Sequence, residues 1–266
     1  MDRLTRTVRE QVALGRLLPL GAPGDTAWIT EAAAVRVLRA ACTGLPGVRV
    51  GKVSLLLGQT GDDGGVGGPS AAAPVGALPH VPLRIEAAFE ASVDEPLPLA
   101  ADRLREALGG AARGGLGLTV EAVDLEVVGL LDGVSPAGGP DGGPRGGTDD
   151  EGEDAAEEPG GDSGGATLAA VGGGSEAVRA AALAVPGVAG LTRRLAGLGS
   201  GVRVQDTGAD EDGSGAAGRR VQVQLAVAPG YVALTVAREV AAAVTTAAAE
   251  GAKGPVATAV VVTDAG

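Results

Sequence analysis

The chain writes one short phrase twice. Leu45-Pro46-Gly47-Val48 returns as Val185-Pro186-Gly187-Val188, and each copy follows an alanine-rich stretch whose apolar residues recur at helical spacing. In the first stretch Val35, Leu38 and Cys42 share a stripe behind Thr30, an N-cap by residue type. In the second Val178, Ala182 and Val185 do so behind Ser175. Proline cannot continue a helix and glycine frees the turn, so the Pro-Gly step ends both.

The agreement runs on past the phrase. Strand patterns follow, "VRVGKVSLLLG" from Val48 and "GVRVQDTG" from Gly201, and then glycine-rich polar loops at 58–80 and 207–218. Strict alternation returns with Leu83, Ile85, Ala87 and Phe89, and with Val221, Val223, Leu225 and Val227. Second helices are marked by Leu97, Ala101, Leu104 and Leu108, and by Val232, Val236, Val240 and Val244. The strands "LTVEAVDLEVV" and "GPVATAVVVTD" close the two halves. At an offset of 136, Arg84 falls on Arg220 and Val120 on Val256. A register kept across strand, helix and strand is an internal repeat.

The expected fold class is therefore α/β (α+β), with two small helix-strand-strand-helix-strand domains. The last strand-helix-strand of each forms a parallel crossover, and the helices cover one face of a small sheet. The boundaries are 1–26 for an N-terminal helical extension, 27–131 and 175–266 for the repeats, and 132–174 for a tether. The tether is glycine, proline and acid with almost no apolar residue, a composition that stays disordered. Each sheet would leave one face open, a surface through which the halves meet each other or other chains.

Composition limits what such a chain can do. Its apolar residues are chiefly Ala, Val and Leu, and its aromatics are Trp28, Phe89 and Tyr231. Small side chains bury little area each, at about 25 cal/mol per Å², so self-association is expected to supplement the core. Of the net charge of −12, residues 132–174 hold −9 and residues 175–266 are neutral. No flank offers the positive field that nucleic acid requires. Cys42, the single cysteine, rules out a disulfide within the chain. The charged start lacks a signal core, and the weakly polar run 232–249 carries Arg238 and Glu239, a poor membrane span. A cytoplasmic location follows, without direct membrane insertion.

"WIT" at 28–30, the alanine-rich helix, the Pro-Gly-Val turn, the alternating strand, the long helix and the last strand resemble the alkaline shock protein family of bacterial envelope-stress proteins. The second half is the closer match. The resemblance implies a non-catalytic scaffold that self-associates and docks on a small membrane-anchored partner at the inner face of the cell membrane. Two copies joined by an acidic tether depart from the single domain usual in that family.

Several short motifs spell known signatures without the residues that those signatures need. Gly161–Gly165 spells GDSGG, the nucleophile motif of trypsin-like proteases. That chemistry needs a histidine base and an oxyanion hole, whereas the one histidine, His80, sits among prolines and reads as a loop residue. Asp206–Gly213 and Thr148–Asp154 hint at calcium without EF-hand spacing. Cys42 reads as core packing. Leu4, Val8 and Val12 mark an amphipathic N-terminal helix that docks on its own domain in preference to a membrane surface. No catalytic residue, metal ligand or cofactor is assigned. The partner surface is expected at Arg193 and Arg194, after the second Pro-Gly turn, and at Tyr231. The alternative function is a soluble small-ligand or cation-binding regulator.

Overall fold

A computed structural model describes residues 14–58, 72–131, 172–195, 201–207 and 217–266. Strands β1 (Leu17–Leu20) and β2 (Ala27–Thr30) lead into helix α1 (Glu31–Ala41). Strands β3 (Val48–Leu57) and β4 (Leu83–Ser92) follow, then helix α2 (Leu97–Gly110), a π-helical turn (Ala111–Leu116) and β5 (Val120–Leu131). The second half holds α3 (Gly172–Leu183), β6 (Val188–Leu191), β7 (Val202–Thr207), β8 (Gly218–Val227), α4 (Ala233–Ala249) and β9 (Val256–Ala265). The architecture is mixed α/β, with two sheets and, among the described residues, four α-helices.

The repeat is written into the hydrogen-bond register. β4 and β5 run parallel with Leu83 beside Val120, and β8 and β9 run parallel with Arg219 beside Val256. Both pairs slip register at the same place, between Phe89 and Glu90 in one half and between Leu225 and Ala226 in the other. The glycines of the twin phrase do the same work. Gly47 and Gly187 sit at φ +66° and +87°, where a side chain is strained. Their carbonyls accept hydrogen bonds from the N–H groups of Ser92 and Ala228, each at 2.8 Å. The turn thus ends a helix and starts a hairpin in one step.

Alternation places the core where expected. Leu83, Ile85, Ala87 and Phe89, and their counterparts Val221, Val223, Leu225 and Val227, are all buried. Three local expectations need correction. Ser175 does not cap its helix, because α3 already begins at Gly172. Thr30 does stand at the N-cap of α1, but its hydroxyl makes no capping bond. In α2 the buried stripe is Ala100, Leu104 and Leu108, leaving Leu97 exposed where the helix begins. The expected helical extension, 1–26, contains strand β1 and the whole β1–β2 turn; residues 1–13 lie outside the described residues. So does the tether, as far as residue 171.

The halves do not meet through open sheet faces. β2 lies in the 27–131 repeat, yet it pairs in parallel with β9, Ala27 beside Val260 and Ile29 beside Val262. The sheets are thus β1-β2-β9-β8-β6, with β7 also on β8, and β3-β4-β5. One apolar cluster joins Leu18, Ile29, Leu38 and Phe89 to Val236, Val240 and Val260. The reason is economy of surface: β9 is apolar on both faces, and a strand added at its edge removes Val261 and Val262 from water. A second cluster on the other face seats Trp28 and Leu17 on Ala259 and Val261.

Candidate functional site

In the first half only Gly51 and Lys52 separate Val50, beside Phe89, from Val53, beside Ala87. In the second half Thr192–Gly201 separate Leu191, beside Leu225, from Val202, beside Val223. The two intervening residues of the first half have become ten in the second, and residues 192–195 of that insertion form a loop that carries Arg193 and Arg194.

Buried Gln224 holds the start of this loop in place. Its Oε1 accepts from the Leu195 N–H at 2.9 Å and its Nε2 donates to the Leu195 carbonyl at 3.4 Å. The Thr192 N–H donates to the Gln224 carbonyl at 3.0 Å, and the Thr192 and Thr263 hydroxyls share a hydrogen bond of 2.6 Å. A fully buried amide without such partners would cost roughly 1–3 kcal/mol, so this clamp is a strong constraint on where the arginines project.

They project into a cleft of about 430 Å³ lined also by Arg36, Thr263, Leu14 and the first turn of α1. Arg36 donates to Asp264 at 2.7 Å, and Arg194 reaches the other oxygen of the same carboxylate at 3.5 Å. Arg193 is exposed and has no ion-pair partner among the described residues. Two guanidinium groups, of Arg36 and Arg194, therefore share one carboxylate, and the Arg193 guanidinium lines the same cleft. Guanidinium presents a planar fork of donors suited to carboxylate and phosphate. Among the described lining residues the charged groups are the three guanidiniums, an arrangement that suits an anion. Arg36 and Asp264 lie 228 residues apart. Sequence reasoning missed both, because each looks like an ordinary surface charge until β9 and α1 come together.

Tyr231 stands elsewhere. Half exposed, it lines a different cleft with Val37, Leu116 and Ala265, and its ring lies over Gly187. The structure thus brings Arg193 and Arg194 together but does not bring Tyr231 to them. His80 is a loop residue, as expected, but its ring meets Trp28 edge to face at 5.2 Å. Burial pushes its pKa below the ordinary histidine value, against the pull of Asp25. Cys42 is buried at the end of α1, and burial pushes its thiol pKa up. GDSGG and Thr148–Asp154 lie outside the described residues. Of the loop Asp206–Gly213, Asp206 and Thr207 are described, and Asp206 is taken up by Arg219. Among the described residues no three His, Cys, Asp or Glu side chains gather as a metal site, and no helix is long and apolar enough to cross a membrane.

The molecule is a mixed α/β protein built on an internal repeat, with a cation-rich cleft at the junction of the two copies. Comparison of the chain with protein-family models, curated proteins and solved structures gave no match.

Proposed function

We propose that the protein is a non-enzymatic interaction scaffold of the kind the alkaline shock resemblance implies. It self-associates and docks on a small membrane-anchored partner at the cytoplasmic face of the cell membrane. The observation that carries this reading is the surplus of guanidinium groups over carboxylate around Arg36, Arg193, Arg194 and Asp264. Such a site on a chain of net charge −12 recruits an acidic segment locally, without attracting anions over long range. The partner segment is accordingly acidic.

The test is a tagged pull-down from detergent-solubilised cells, read by mass spectrometry beside membrane fractionation. A small membrane-spanning protein should come down with the wild type and be lost with Arg193→Glu/Arg194→Glu. Retention of every partner by that variant would sink the cleft as the docking site. The rival, a soluble small-ligand regulator, draws on the same cleft, whose volume falls in the range of small-molecule sites. A saturable thermal shift with a small anion, unaccompanied by any membrane partner, would favour the rival.

A further inference from the structure

The repeat supplies its own control experiment. β5 and β9 are equivalent strands, each the parallel neighbour of the central strand of its half. The outer edge of β9 is covered by β2, and Val260, Val261 and Val262 are buried there. The outer edge of β5 has no partner strand among the described residues. Its side chains show the difference: Val127 is 43% exposed, Val128 56% and Leu130 58%. Residues 120–131 contain no proline and no lysine, the usual guards of a free edge. The polar neighbours are Glu121, Asp124 and Glu126, and Asp124 is already paired with Arg84.

We infer that the free edge of β5 is the surface on which a second copy of this chain docks, strand to strand and antiparallel about a twofold axis. The charge pattern favours that occupant. With the axis at Val127, Glu126 faces Val128 of the mate, Asp124 faces Leu130, Leu125 faces Gly129 and Val123 faces Leu131. No acid in Val123–Leu131 lies opposite another acid, and like charges directly opposite are what such a ladder must avoid. The exposed apolar residues gather at the axis. Joining the two edges makes one six-stranded sheet of two three-stranded ones and pairs outward N–H and C=O groups of both β5 strands, apart from the Val120 and Val123 carbonyls, which already accept from Arg113 at 3.5 Å and Arg105 at 3.4 Å. The inference rests on the self-association in the function proposed above, and names its surface.

The experiment uses the full chain. Sedimentation equilibrium measures the mass of the wild type and of Val127→Arg, and oxidant is applied to Val127→Cys. Opposite Cβ atoms in such a pair stand about 5 Å apart, while Cys42 is buried and leaves the wild type uncrosslinked. A wild-type dimer, weakened at least tenfold by Val127→Arg at unchanged circular dichroism and covalently captured by Val127→Cys, is the expected result. A dimer that survives Val127→Arg and yields no Val127→Cys crosslink overturns the β5 surface while leaving self-association intact. A strictly monomeric wild type overturns both, and the pull-down of the anchor still judges the docking reading separately.

Discussion

Arg238, on α4, grips Asp25, in the β1–β2 turn, with both arms of its guanidinium: Nε donates to Oδ1 at 2.7 Å and Nη2 to Oδ2 at 2.8 Å. Asp25 also accepts from the Ala22 N–H at 2.7 Å. One carboxylate therefore shapes the turn that delivers β2 and ties it to the other half of the chain.

Asp25→Asn keeps the shape and removes the charge. We expect a loss of about 1 kcal/mol, since Arg238 is itself half exposed and water screens the pair. The Arg238 hydrogen bonds are the main reason the Asp25 pKa lies below its ordinary value, opposed by burial. A carboxyl group depressed in the folded state lends stability that is present above its unfolded pKa and lost as pH falls through the folded one. Urea titrations at neutral pH and across the acid range should show Asp25→Asn with a shallower acid loss than the wild type.

His80 gives a second pH dependence, also lost on the acid side but higher up. Its folded pKa is lowered, chiefly by burial, so the neutral ring is favoured, and protonation below about pH 6.5 costs stability. Trp28, the single tryptophan and 1% exposed, lies against the ring and reports it. Its fluorescence should change with a midpoint below the ordinary histidine value, and His80→Gln should abolish that transition. An unaltered transition in His80→Gln would refute the assignment.

Gly187→Ala meets two penalties. The positive φ costs about 1–2 kcal/mol for any side chain, and the new methyl group would lie 2.6 Å from the Tyr231 ring. At Gly47 the nearest atom is Ser92 Cβ at 3.3 Å, so Gly47→Ala carries mainly the backbone penalty. Thermal unfolding should rank Gly187→Ala below Gly47→Ala, and adding Tyr231→Ala should narrow the gap.

Arg219 closes the end of α4. It donates to the carbonyls of Ala248 at 2.8 Å and Glu250 at 3.0 Å while Asp206 holds it from behind. The guanidinium thus satisfies orphan carbonyls at the negative end of a helix. Arg219→Met should cost about 1–2 kcal/mol and raise hydrogen exchange in the last turn of α4 above that in its middle.

The twin Pro-Gly-Val phrase made the repeat legible, because a helix stop followed by an alternating strand is a local signal. Phe89 and Leu225 could be placed in the core from their neighbours alone. The destination of β2 could not, since nothing within Ala27–Thr30 says whether it pairs with β5 or β9. That choice belongs to residues more than 200 positions away. The cleft shows the same limit. Arg193 and Arg194 stand out as a pair, but Gln224, which clamps their loop, reads as an outward polar residue of an alternating strand. In the fold, Thr192 and Leu195 of the loop bind it.

The pairing of β2 with β9 also imposes an order of events during synthesis. Ala27–Thr30 leave the ribosome some 230 residues before Val260–Val262 do. Until then the β1–β2 hairpin, which includes the tryptophan, has no strand for the other edge of β2, and loop closure over such a distance is slow. The nascent chain must carry that open edge of β2 while β3, β4 and β5 pair locally. The free edge of β2 is thus closed by a strand made some 230 residues later.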